Sequence, residues 1–244
     1  MPADRPKIVT TSWDDGHPLD QKVAELLAKY GLKGTFYVPA ANPEHEVMTP
    51  SELSALAKVF ELGGHTKNHV VLTRVPIQVA SREITECKNW LGDLIGSTPK
   101  CFCYPQGKLN DAIVSQVRAS GFAYARTVEF SRTDIRDPFL APTTAQVFNH
   151  SKYSYMKNLA KRGNVGGLGL LFSVGGLRAR IIDVVEYWLK KIEGEGGIFH
   201  LWGHSWEIEQ HGLWSDLEAV FKTLSRLDGF RYHANGDLVQ YVKK

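Results

Sequence analysis

Residues 7–31 read KIVTTSWDDGHPLDQKVAELLAKYG. Lys7 to Trp13 form a short β-branched and aromatic run that reads as a strand. Pro18 opens a helix in which Leu19, Val23, Leu26, Leu27 and Tyr30 recur at helical spacing before Gly31 stops it. Between the two, where a strand runs out into a loop, Asp14 and Asp15 stand side by side ahead of Gly16. Each carboxylate raises the cost of ionising the other, so a cation or a proton in transit is expected there. Asp-Asp-Gly is also ordinary turn chemistry, and the pair acquires meaning only from the rest of the chain.

Outward from this unit the alternation continues. GTFYVPA, residues 34–40, reads as the next strand. Thr49, Pro50 and Glu52 form a capping box with proline at the first helical position, and ELSALAKVFELG, residues 52–63, reads as the helix that follows. Then come a helix over 76–96, the strand CFCYP over 101–105, a helix over 110–121 and the strand FAYARTV over 122–128. An amphipathic helix over 179–192, the strand GIFHLWGH over 197–204 and a helix over 215–227 complete the pattern. Repeated βα units of this kind predict an α/β protein with a parallel sheet, open or closed into a barrel, whose active-site groups lie at the carboxyl ends of the strands. The glycine-dense stretch 163–177 lacks the Lys-Ser/Thr ending of a phosphate loop and reads as a flexible loop or an active-site flap.

The chain has 244 residues, 43% of them hydrophobic and 23% charged, the range of a single α/β domain spanning 1–244. A net charge of +3 with no run of five like charges does not advertise a nucleic-acid surface. Neither an apolar leader nor an 18-residue uncharged run occurs, so no membrane span and a cytoplasmic location are expected. Cys87, Cys101 and Cys103 lack zinc-ribbon spacing and read as core residues, the last two on one face of a strand.

GGHTKNHVVL, residues 63–72, places His65 and His69 four apart, a spacing that on a helical turn points both imidazoles at one ion. With a carboxylate from another strand end, the two make the two-histidine, one-carboxylate set used by catalytic zinc and related divalent metals. Successive residues leaving a strand point in opposite directions, so one aspartate of the Asp14–Asp15 pair can reach a metal while the other faces substrate.

In these stretches the chain resembles the polysaccharide deacetylase family, the NodB-homology or carbohydrate esterase family 4 group. Ser12-Trp13-Asp14-Asp15-Gly16 resembles its first motif, His65-Thr66-Lys67-Asn68-His69 its second and Cys103-Tyr104-Pro105-Gln106-Gly107 its third, and the likeness covers roughly residues 7 to 205. The resemblance implies a distorted (β/α) barrel of the NodB type. It also implies that Asp14 is the general base and that Asp15, His65 and His69 bind a divalent metal, Zn2+ foremost, with Co2+, Ni2+ or Fe2+ as alternatives. The backbone near Gln106 then helps hold the oxyanion, with Tyr104, Pro105, Gln106 and Gly107 on the substrate side. A late histidine serves as general acid. His204 in LWGHSWE is the first choice, nearer the strand's carboxyl end, and His200 stays open as the alternative.

Two departures accompany the likeness. Cys103 occupies the position where the third motif carries arginine, so a guanidinium partner for the catalytic aspartate comes from elsewhere or is absent. No clear fourth motif orients the late histidine; Asp134 and Asp137 are candidate substitutes. Trp202, Trp206 and Trp214 lie near the late histidine in sequence and offer aromatic faces for sugar rings, and Glu207 offers a carboxylate for a sugar amine or hydroxyl. The expected function is metal-dependent N-deacetylation of an acetylated amino sugar, a glycan or an activated sugar, as in surface-polysaccharide assembly. An allantoinase-like hydrolase of a non-sugar amide and an inactive carbohydrate-binding protein are the alternatives.

Overall fold

The computed structural model describes residues 5–150, 153, 170 and 180–242. Apart from Leu170, the glycine-dense stretch 163–177 lies outside the described residues. Strands β1 (Lys7–Asp14), β2 (Thr35–Val38), β3 (Glu61–Gly64), β4 (Cys101–Cys103) and β5 (Tyr124–Arg126) alternate with helices α1 (Asp20–Lys29), α2 (Pro50–Leu56), α3 (Ile77–Ile95) and α4 (Asp111–Ala119). Further on lie β6 (Ala145–Gln146), α5 (Ile181–Glu195), β7 (Gly197–Gly203), α6 (Ser205–Gln210), α7 (Trp214–Leu224) and β8 (Arg231–Tyr232).

Among the described residues all strand pairings are parallel, in the order β5-β4-β3-β2-β1-β7-β6, with β8 added beside β1. The segment after β5 draws the two edges together. Ala141 bridges Arg126 at one edge, while Ala145 and Gln146 pair with Leu201 and Trp202 of β7 at the other. The result is a parallel sheet curled into a distorted (β/α) barrel.

Period-2 alternation sorts each strand between two environments. Val9, Trp13, Phe36, Phe199 and Leu201 face outward and pack with Val23 and Leu27 of α1 and Phe221 of α7 in the largest apolar cluster. Ile8, Tyr37, Cys101, Cys103, Tyr124 and Ile198 face inward. Buried on both faces, β1 and β7 expose almost nothing, as central parallel strands must. All three cysteines are buried and unpaired, and Cys101 and Cys103 share the inward face.

Polar groups at the barrel floor pair with one another: the Asn235 side chain accepts from Tyr37 Oη at 2.8 Å and donates to Thr10 Oγ1 at 2.8 Å.

β3 corrects the expected helix over 52–63. α2 ends at Leu56, and Glu61–Gly64 adds a strand between β2 and β4. Leu62 aside, this strand carries no β-former, because its neighbours occupy the side-chain space. A Cβ on Gly63 would lie 2.6 Å from the Tyr37 ring and 2.8 Å from Cys101 Sγ.

Candidate active site

The carboxyl ends of β1, β3, β4, β5, β6 and β7 open on one cavity of about 420 Å³. Asp14, Asp15, His65, His69, Tyr104, Gln106, Gly107, Gln146, Trp202, His204 and Trp206 all border it. Pro105 is buried and, like Trp214 and His200, does not border the cavity.

Asp14 is the last inward-facing residue of β1, whereas Asp15 leaves the strand with φ 80, a conformation a non-glycine residue adopts only at a cost. That turn divides the pair. Asp15 Oδ1 lies 3.5 Å from His65 Nε2 and 3.1 Å from His69 Nε2. The two histidines are not on a helical turn: Thr66 and His69 have φ of 62 and 53, and Thr66 Oγ1 accepts the Val70 N–H at 2.9 Å. The irregular loop brings both imidazoles round to Asp15, as a helix was expected to do.

The donor set fits a divalent cation. His65 Nδ1 lies 2.8 Å from the Cys103 carbonyl, which can only accept, so Nδ1 carries the hydrogen and the other ring nitrogen, Nε2, faces Asp15 Oδ1. Two acceptors facing each other in a buried site need a cation or a proton between them. Ligand atoms held at about 2.0–2.2 Å from one ion lie roughly 3.0–3.5 Å apart, the spacing found here. Burial raises the Asp15 carboxyl, but its close contacts with His65 and His69 and the fields of His204 and His65 override it, and the net displacement is downward. Glu44 lies 3.5 Å from His69 Nδ1, on the far side of that ring.

Asp14 is held differently. Its Oδ1 meets Arg126 Nη2 in a close ion pair, with both side chains buried. Arg126 ends β5 in register with Cys103 of β4. The guanidinium absent from position 103 therefore enters from the adjacent strand at the same level of the barrel, and lies 4.6 Å from the Trp202 ring centre. Cys103 fills the vacated position as a thiol, its Sγ 3.7 Å from Asp14 Oδ2; burial pushes it up, so it stays protonated and donates weakly to that carboxylate.

Residues 2–125, just over half of the chain, match the family profile described as polysaccharide deacetylase. The chain belongs to the polysaccharide deacetylase family. Among curated proteins it is 26% identical over 114 residues to the peptidoglycan-N-acetylmuramic acid deacetylase PdaC of Bacillus subtilis. That match covers 46% of this chain and 24% of PdaC, so the chain spans about a quarter of that relative's length. A Mycobacterium smegmatis protein assigned to the polysaccharide deacetylases superposes with a TM-score of 0.65 at 13% identity, covering 99% of this chain and 92% of the other. The family 4 carbohydrate esterase from Streptomyces lividans, solved with acetate, gives 0.53 at 14% identity over 93% and 91% of the two chains. At such identities these structures speak for the fold, the NodB-type barrel of this deacetylase family.

The late histidines of this family member part company. His200 lies inside the barrel below the site, its Nε2 2.8 Å from Ser12 Oγ; burial and the Arg126 charge push it well down, so it stays neutral. His204 follows β7 and borders the cavity. Its Nδ1 lies 3.2 Å from Glu207 Oε2, an acceptor, so Nδ1 carries a hydrogen and Nε2 is the other proton-bearing position. Burial pulls His204 down, but the Glu207 hydrogen bond and the charges of Asp15, Asp14 and Glu207 reverse this, and the net displacement is upward.

Glu207 in turn accepts from Gln146 Nε2 at 3.0 Å, and Gln146 Oε1 lies 3.0 Å from His150 Nε2. Asp134 and Asp137 do not take the orienting role. Asp137 pairs with Arg118 at 3.1 Å and Asp134 lies 3.4 Å from Arg136, both beside a separate surface cavity.

Proposed function

We propose that this chain is a divalent-metal-dependent N-deacetylase acting on an acetylated amino sugar within a glycan, with Zn2+ as the first-choice ion. One observation carries the reading: the ligand atoms of Asp15, His65 and His69 converge on the same cavity that Asp14 and His204 border. Family membership and the likeness to a peptidoglycan deacetylase support a glycan substrate.

In this reading Asp15 Oδ1, His65 Nε2 and His69 Nε2 hold the ion. When bound, such an ion acidifies water from a pKa of about 16 towards about 7 and polarises an acyl oxygen. Asp14, ion-paired with Arg126, takes the proton of the attacking water. The backbone around Gln106 lies on the oxyanion side, where one donor is typically worth about 3–4 kcal/mol. His204, oriented through Nδ1 by Glu207, gives a proton to the departing amine as the C–N bond breaks. Water and amide thus become acetate and amine.

The test is acetate release from a panel of N-acetylglucosamine monomers, oligomers and nucleotide-linked sugars, with chelated protein and after Zn2+ or Co2+ is restored. Metal-restored acetate from a glycan or amino sugar is expected. Stoichiometric metal with no acetate from any of them overturns the sugar reading and directs the assay to cyclic ureides. Asp15→Ala, His65→Ala and His69→Ala are expected to lose metal and turnover together. Asp14→Asn is expected to keep the metal and lose about 10²–10⁴-fold in kcat.

A further inference from the structure

Trp206 lies on α6, two residues after His204, and the sequence offers it only as an aromatic face for a sugar. Its indole does something more specific. Nε1–H, which can only donate, points at Asp15 Oδ2 at 2.9 Å. The ring is held on two sides, stacked on His45 with centroids 4.3 Å apart and 23° between planes, and tilted against His204 at 5.2 Å. The indole therefore has little freedom to follow Asp15 should that carboxylate rotate.

Asp15 needs such restraint. Its backbone stands at φ 80, and its Oδ1 faces the two imidazole Nε2 atoms. A free carboxylate in that position could turn and engage an ion through both oxygens, using a coordination position that water or substrate requires. We propose that Trp206 is a positioning residue of the metal site: its indole N–H occupies Asp15 Oδ2 and confines Asp15 to ligation through Oδ1 alone. This inference rests on the metal reading of Asp15, His65 and His69, and assigns Trp206 a duty apart from sugar contact.

Outer partners of metal ligands typically change metal affinity by about 10–100-fold when removed. Trp206→Phe keeps an aromatic ring between His45 and His204 and deletes the donor together with part of the indole's bulk. Full-length wild type, Trp206→Phe and Trp214→Phe are stripped, titrated with Co2+ against a competing chelator, and followed by the visible absorption of the bound ion. Trp206→Phe is expected to bind Co2+ about 10–100-fold more weakly, with a changed absorption band, while Trp214→Phe matches wild type. Wild-type affinity and an unchanged band in Trp206→Phe overturn the proposal. Co2+ binding that survives Asp15→Ala overturns the metal reading first, and this proposal with it.

If Trp206→Phe does not fold, the assigned indole 15N–1H resonances of wild type decide instead. The Trp206 resonance is expected to move on Zn2+ addition while that of Trp188, in the outer apolar cluster, stays fixed; a stationary Trp206 resonance overturns the assignment.

Discussion

Replacing Arg126 with methionine keeps the length and apolar bulk of the side chain and removes its cation. Asp14 is then buried, with its ion-pair partner gone and only the protonated Cys103 thiol, 3.7 Å away, as a weak donor. Breaking a buried pair from one side costs about 3–5 kcal/mol, because the remaining charge is stranded in low dielectric. At about 2–4 °C per kcal/mol for a chain of this size, Tm is expected to fall by about 6–20 °C. The alternative outlet for the same free energy is protonation of the aspartate. Turnover then falls by up to the whole general-base contribution, about 10²–10⁴-fold, and the acid limb of the kcat/KM profile moves to higher pH. Because positions 103 and 126 are in register on adjacent strands and face inward together, Cys103→Arg added to Arg126→Met is expected to recover part of both losses. The assays are thermal unfolding and acetate release across pH. An Arg126→Met protein with wild-type Tm and an unmoved acid limb refutes the reasoning.

Glu207→Gln removes the carboxylate that raises His204, so the alkaline limb of activity is expected to move to lower pH with kcat reduced. Stability follows the same pair. The His204 contribution is complete below its ordinary value of 6.5 and is lost as pH rises through its raised folded value. The Glu207 contribution is complete above its ordinary 4.5 and is lost as pH falls through its lowered folded value. Glu207→Gln is therefore expected to cost most stability between 4.5 and 6.5; an equal loss across pH in thermal scans contradicts the pairing. Gly107→Ala is expected to lose about 2–5 kcal/mol, from a left-handed backbone and overpacking together. At φ +62 its new Cβ meets Val128 Cγ2 at 2.1 Å, so adding Val128→Ala should return only the packing part in denaturant unfolding. Asp20 is fully buried, and burial pushes it well up against the smaller opposing effect of the Ser205 hydroxyl. Its cost to folding grows as pH rises from its ordinary 3.8 to that raised value, so Asp20→Asn is expected to gain stability at neutral pH over acid pH; a gain independent of pH refutes this.

The double aspartate was legible because β1 is uncharged from Ile8 to Trp13 and buried on both faces, and two carboxylates at its end have no packing role. The spacing of His65 and His69 was legible too, but the backbone that joins them was not, since two non-glycine residues at positive φ cannot be read from residue types. β3 escaped notice because its glycines answer to Tyr37 and Cys101 on neighbouring strands and not to strand propensity. Arg126 is a tertiary fact. Its chemistry follows from lying beside Cys103, and only strand register reveals that. The one available signal was its place, a lone cation ending a strand in a chain whose other strand ends carry the chemistry. Glu207 lies three residues beyond His204, so it turns back to Nδ1 only once a helix is known to start at Ser205. Closure through β6 rests on two residues whose identity carries no strand signal.

In the proposed reading, Asp15, His65 and His69 hold an ion that deacetylation requires. Its most direct test is to strip the protein with chelator and measure acetate release from an N-acetylglucosamine oligomer as Zn2+ is returned in sub-stoichiometric steps. The account predicts no acetate at the start, a linear rise and a break at one equivalent per chain, with the response abolished in His65→Ala. Full turnover in the stripped protein, or an undiminished rise in His65→Ala, would contradict it.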